Sequence, residues 1–130
     1  METALQTRMH ERSEDLRDLE CRLHTISEQA RKLLAQIVEL AYHGRGQQRK
    51  PDVAYLPELY ESSGLGVEAM YPLLDELQRA GLIEVEERYP FEDVKIPSTP
   101  SGVNVLAEIS RFCESEKISL RDIIVDFRFD

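Results

Sequence analysis

Three features of the chain predict a mainly α protein with a small β-hairpin wing, an α+β architecture. Apolar residues recur at helical spacing through the first third and again after residue 67; a short alternating segment at 82–96 turns back on itself; and Gly, Pro and Ser clusters separate these stretches. With 130 residues, the chain suits one modest core, because single domains usually run roughly 100–150 residues.

The first element is the longest. Leu16, Leu19, Leu23, Ile26, Ala30, Leu33, Ile37 and Leu40 alternate spacings of three and four, a heptad seam that Met9 and Leu5 extend upstream. The seam predicts a long N-terminal helix, or two in near-continuation, over residues 3–43. Thr25 followed by Glu28 has capping-box spacing and marks where a second helix can start, and Gly44 and Gly46 stop it. Such a seam fits an oligomerisation element: residues 1–26 form a helical extension, 27–130 a domain, and Leu16, Leu19, Leu23, Ile26 and Leu33 are the candidate contacts. A parallel dimer would bring Asp15 and Glu20 together across the seam, which favours antiparallel packing or packing on another helix. An amphipathic helix lying on its own domain produces the same stripe.

Arg45 to Asp52 is polar and basic and reads as an exposed loop. A short helix follows near Leu56–Glu61, ended by Ser62-Ser63-Gly64. The next helix runs from about Val67 to Ala80 with core positions Met70, Leu73, Leu74 and Leu77, and Gly81 stops it. Leu82–Arg88 and Asp93–Ile96 then form a hairpin around a loop of four residues, Tyr89 to Glu92. After Ser98-Thr99-Pro100-Ser101-Gly102 a further helix buries Val105, Leu106, Ile109 and Phe112. Ser119 to Asp122 has a capping pattern ahead of a short helix, although Val125 to Asp130 alternates as a strand would.

Helix, short helix, longer helix ending in Gly-Leu-Ile, hairpin, helix is the order of a winged helix-turn-helix domain, in which three helices make a small core and the hairpin covers its open side. Met70 to Glu86, MYPLLDELQRAGLIEVE, resembles the third helix and first wing strand of the PadR family of transcriptional regulators, which typically read LYPxLxxLexxGLI. Thr99-Pro100-Ser101-Gly102 with Leu106 is similar to the T-x-x-G and Leu that follow the wing in that family. The resemblance covers residues 67–106. Upstream, PDVAYLPELY stands where the family usually carries H-G-Y. The resemblance implies a cytoplasmic, homodimeric, DNA-binding transcription regulator whose third helix, shaped by Tyr71 and Pro72, enters the major groove.

Charge bears on that expectation. The chain carries 16 Lys and Arg against 25 Asp and Glu, a net charge of −9, so nucleic-acid binding would have to be local, because clustered cations supply most non-specific affinity. From Val67 to Pro97 the acids are Glu68, Asp75, Glu76, Glu84, Glu86, Glu87, Glu92 and Asp93, against Arg79, Arg88 and Lys95. The candidate DNA contacts are therefore Tyr71, Arg79 and Arg88, with Arg45, Arg49 and Lys50 gripping the backbone from the side. The alternative is an acidic winged-helix protein-interaction module that binds a basic protein partner and no DNA.

Other chemistries lack their residues. Cys21 and Cys113 are far apart and form no disulfide framework, which fits a reducing compartment. Cys21 and His24 share a helical face, but a zinc site needs four convergent ligands, so no metal and no cofactor is expected. No glycine-rich phosphate loop, GxSxG or HExxH occurs, so the chain reads as a non-enzyme. It carries neither a signal-peptide core nor an apolar run of about 20 residues that would span a membrane.

Overall fold

A computed structural model describes residues 13–43, 52–88, 91–98, 102 and 104–128. These residues form six helices and a three-stranded antiparallel sheet in the order α1 (Ser13–Leu23), α2 (Glu28–His43), β1 (Val53–Tyr55), α3 (Leu56–Ser63), α4 (Val67–Arg79), β2 (Glu84–Arg88), β3 (Phe91–Lys95), α5 (Val105–Glu116) and α6 (Leu120–Val125). The strands lie in the order β1-β3-β2.

The N-terminal stripe makes two helices, and the break has a local cause. Thr25 Oγ1 donates to the carbonyl of Arg22 (2.7 Å), which closes α1 instead of opening α2. Ser27, not Thr25, is the cap of α2, and its hydroxyl accepts from the Ala30 N–H at 3.2 Å. The chain therefore turns between residues 23 and 28, and the stripe folds inward. Leu16, Leu19, Leu23, Ile26 and Leu33 are all buried by the chain itself and belong to one core cluster with residues of every later helix. The seam expected to join subunits is thus enclosed within the chain, as an amphipathic helix on its own domain would be, and none of the five is left exposed. The boundary drawn at residues 26 and 27 falls in the turn between α1 and α2.

α2 is the central helix. It packs on α3, α4, α5, α6 and β1, and Ala30, Leu33, Leu34, Ala35, Ile37, Val38 and Ala41 are buried along it. Contacts on so many sides explain why its apolar positions exceed a single stripe.

The later elements follow their punctuation. Pro57 sits in the first turn of α3, where its missing N–H costs nothing, and Gly64 ends the helix at φ 71°. α4 closes in a Schellman turn: Gly81 takes φ 76°, and the Leu82 N–H reaches back to the carbonyl of Leu77 (3.0 Å). The hairpin is tighter than its sequence suggested, because Arg88 pairs with Phe91 and two residues, not four, separate the strands. Val85 faces Val94 across it and turns with it toward the core. α5 and α6 are capped by Asn104, accepting from Ala107, and by Ser119, accepting from Asp122. The segment after Ser119 is helical through Val125.

β1 was not expected. Three residues, Val53–Tyr55, are too short for any periodicity to register, yet they pair with β3 from Val53 opposite Lys95 to Tyr55 opposite Asp93. Asp52 anchors this strand. It adopts φ 64°, its carbonyl accepts from the Ile96 N–H (2.8 Å), and its carboxylate accepts from Tyr42 Oη (2.7 Å) and Asn104 Nδ2 (2.8 Å). One aspartate thereby ties the end of α2, the sheet and the cap of α5 together.

Burial holds the Tyr42 phenol well above its ordinary value of 10.0, and the Asp52 hydrogen bond and charge add to the effect against smaller opposing influences from Asn104 and Arg111. The native state keeps the proton after the unfolded chain releases it. The stabilisation is therefore complete below pH 10.0 and declines as the pH rises above it. Tyr42→Phe is expected to cost about 1–3 kcal/mol at neutral pH and to flatten the loss of stability in denaturant titrations at alkaline pH.

Candidate functional site

Among the described residues, α4 presents a distinctive surface. Its inner face is set by Met70, Leu74 and Leu77, all buried, at the spacing of a helix resting on a core. Its outer face consequently carries Glu68, Tyr71, Pro72, Asp75, Gln78 and Arg79, all exposed, and Val67 is exposed as the first residue of the helix. Val67 is 54% and Tyr71 47% accessible; among the described residues only Ile118 joins them as an exposed large apolar side chain. Val67 and Tyr71 are four residues apart and adjacent on the helix. They form a small apolar patch with Glu68 and Asp75 beside it.

The angle of this helix is fixed at its C-terminal end by two contacts. Glu76 reaches the start of α2, where its carboxylate accepts from the Ser27 N–H (2.5 Å) and hydroxyl (3.0 Å). An acid is favoured there because unpaired N–H groups give a helix N-terminus a partial positive charge. In return, Arg22 of α1 donates to the Ala80 carbonyl (2.7 Å) at the C-terminal end of α4 while also pairing with Asp18 (2.8 Å). Each helix end receives the charge that suits its dipole.

Pro72 lies in the second turn of α4. Its ring removes the hydrogen bond to the Glu68 carbonyl, and both residues are exposed, so water can take that carbonyl. The cost of an interior proline is lessened by its position on the outer face.

These contacts change the charge balance inferred from composition. Of the acids counted near α4 and the hairpin, Glu76 is bonded to Ser27 and Asp93 is buried with partners of its own. Glu68, Asp75 and Glu84 remain exposed and Glu86 is half-buried. Glu84 lies opposite Lys95 across the sheet.

Of the candidate DNA contacts among the described residues, Tyr71 and Arg79 lie on α4 and Arg88 ends β2. Tyr71 is on the outer face of α4. Arg79 ends that helix and is 82% exposed, but it is paired with Asp75 one turn back (3.0 Å). Arg88 is at the closed end of the hairpin, opposite Phe91, whereas the connection from Arg79 enters β2 at the open end, four residues or roughly 13 Å away. Arg45, Arg49 and Lys50 lie outside the described residues. The chain that follows them enters at Asp52, which is hydrogen-bonded to Ile96 at the open end.

Val67 and Glu76 escaped the sequence reading. Val67 escapes a wheel, which sets it near Leu74 on the flank of the core face; it is exposed because it is the first residue of α4, where the core does not reach. The role of Glu76 depends on a residue 49 positions away, and nothing local announces it.

Among the described residues no group of three or more His, Cys, Asp or Glu could hold a metal ion, and no helix is long and apolar enough to cross a membrane. Cys21 is exposed and Cys113 buried; burial pushes the Cys113 thiol up from its ordinary value. Comparison with known proteins finds no matching family model, no matching curated protein and no matching solved structure.

Proposed function

We propose that the chain is a winged-helix module that binds a basic protein partner through the outer face of α4. The fold reading is supported by the run α2-β1-α3-α4-β2-β3 and the strand order β1-β3-β2: three helices pack together and a hairpin is backed by a strand that precedes the second of them. The functional reading is carried by one observation, the exposed pair Val67 and Tyr71 with Glu68 and Asp75 alongside. An apolar centre with an acidic rim suits an amphipathic partner with cations at its edge; the apolar contact supplies affinity, and charge complementarity sets the partner and the encounter rate.

Fluorescence anisotropy of the labelled chain tests this with a short lysine-leucine amphipathic peptide and a mixed-sequence DNA duplex. The peptide is expected to bind, more weakly as salt rises, and Tyr71→Ala and Asp75→Lys should each weaken it about tenfold, which corresponds to about 1.4 kcal/mol. The duplex should give no shift at low salt.

A second reading, a homodimeric DNA-binding regulator of the PadR kind, draws on the position of α4 as third helix before a hairpin. Under it the duplex shifts at low salt, the affinity falls steeply with salt, and Arg79→Glu combined with Arg49→Glu abolishes it. The outer face of α4 argues the other way, since its described charges, Glu68, Asp75 and Arg79, sum to a net negative charge.

A further inference from the structure

We propose that the cleft between α2, the α3–α4 turn and α6 binds a small amphipathic organic anion, with a medium-chain carboxylate as the simplest member of the class. The cleft encloses about 430 Å³, within the range of roughly 300–1,000 Å³ in which small ligands are held. Its lining joins Leu33 of α2, Leu65 of the turn and Leu73 of α4, which are buried or half-buried, to polar residues that include the exposed Lys32 and Arg121. A ligand that covers these leucines must have an apolar body.

The two cations select the sign of the head group. Lys32 and Arg121 are both exposed, and among the described residues neither makes a hydrogen bond or ion pair, whereas Arg22 and Arg79 each do. Two cations against the single acid Glu39 make the cleft locally positive on a chain of net charge −9. Ser63 adds a donor: its oxygen accepts from the Leu65 N–H (3.2 Å), which orients the hydroxyl and leaves its proton for a ligand. Lys32 of α2, Ser63 of α3 and Arg121 of α6 all line the cleft, and a carboxylate bonded to any of them gains a charge-assisted hydrogen bond. None of these three groups belongs to the outer face of α4, so the inference goes beyond the partner-binding reading and stands apart from it.

Isothermal titration calorimetry with octanoate tests the proposal, with octanol, octylamine and inorganic phosphate as companions. Octanoate is expected to bind at one site per chain, phosphate not to bind because it has no apolar body to cover the leucines, and octanol and octylamine to bind at least about tenfold more weakly for want of the charged bond. Lys32→Glu and Arg121→Glu should each weaken octanoate by about tenfold or more while leaving the circular dichroism and melting temperature unchanged, since both side chains are exposed. Lys32→Arg should retain binding. Octanoate that fails to bind at millimolar concentration, that binds no better than octanol, or that is indifferent to both charge reversals overturns the proposal.

Discussion

Leu23→Glu is expected to unfold the chain and not to release a folded subunit. Leu23 is 1% exposed and lies in the same core cluster as Leu33, Ile109 and Ile124. The substitution removes an apolar side chain whose loss alone costs about 2–5 kcal/mol and buries a carboxylate without a built partner, at a further several kcal/mol or the work of protonating it. Together these approach the whole stability of a small domain, about 5–15 kcal/mol. Circular dichroism should show lost helix and no cooperative melt. Leu23→Ala, which adds no charge, should stay folded with its mass by light scattering unchanged and its stability lowered. If Leu23→Glu instead melts like the native chain at a smaller mass, the stripe is an intersubunit seam after all.

Gly81→Val should be the most damaging single change outside the core. At φ 76° any added Cβ falls on the Arg22 guanidinium, and a branched side chain in the left-handed region costs about 1–3 kcal/mol in backbone strain alone. Displacing Arg22 also breaks its bond to the Ala80 carbonyl, worth about 1–2 kcal/mol for a partly exposed charged donor. A chemical-denaturation cycle with Arg22→Ala separates the two: in the Gly81→Val background, Arg22→Ala should cost almost nothing, because the contact is already gone. Full additivity of the two substitutions would show that Arg22 does not hold this corner.

Much of this architecture was legible because local chemistry and tertiary packing agree. Met70, Leu74 and Leu77 announced the inner face of α4, Gly81 its end, and Ser119 with Asp122 the start of α6. Where expectation and structure part, a longer-range influence decides. The stripe from Leu16 to Leu40 has the period of a seam, and period alone does not say whether a stripe meets a second chain or its own; the turn at Thr25–Ser27, held by Glu76, sends it inward. β1 exists because β3 offers it an edge, and its three residues carry no pattern of their own. The acidic count around α4 and the hairpin overstates the charge turned to solvent, because Glu76 and Asp93 are used within the fold. What remains outside is a smaller and more structured surface, with apolar Val67 and Tyr71 at its centre.

That surface can be mapped directly by recording backbone amide NMR spectra of the chain while the lysine-leucine peptide, and separately the DNA duplex, is titrated in. The peptide should perturb the amides of residues 67–79 on the outer face of α4, centred on Val67 and Tyr71, with Lys32 and Arg121 unmoved, and the duplex should perturb none of them at low salt. Perturbation of α4 and the hairpin by the duplex, with no footprint from the peptide, would contradict the assignment of this face to a basic protein partner.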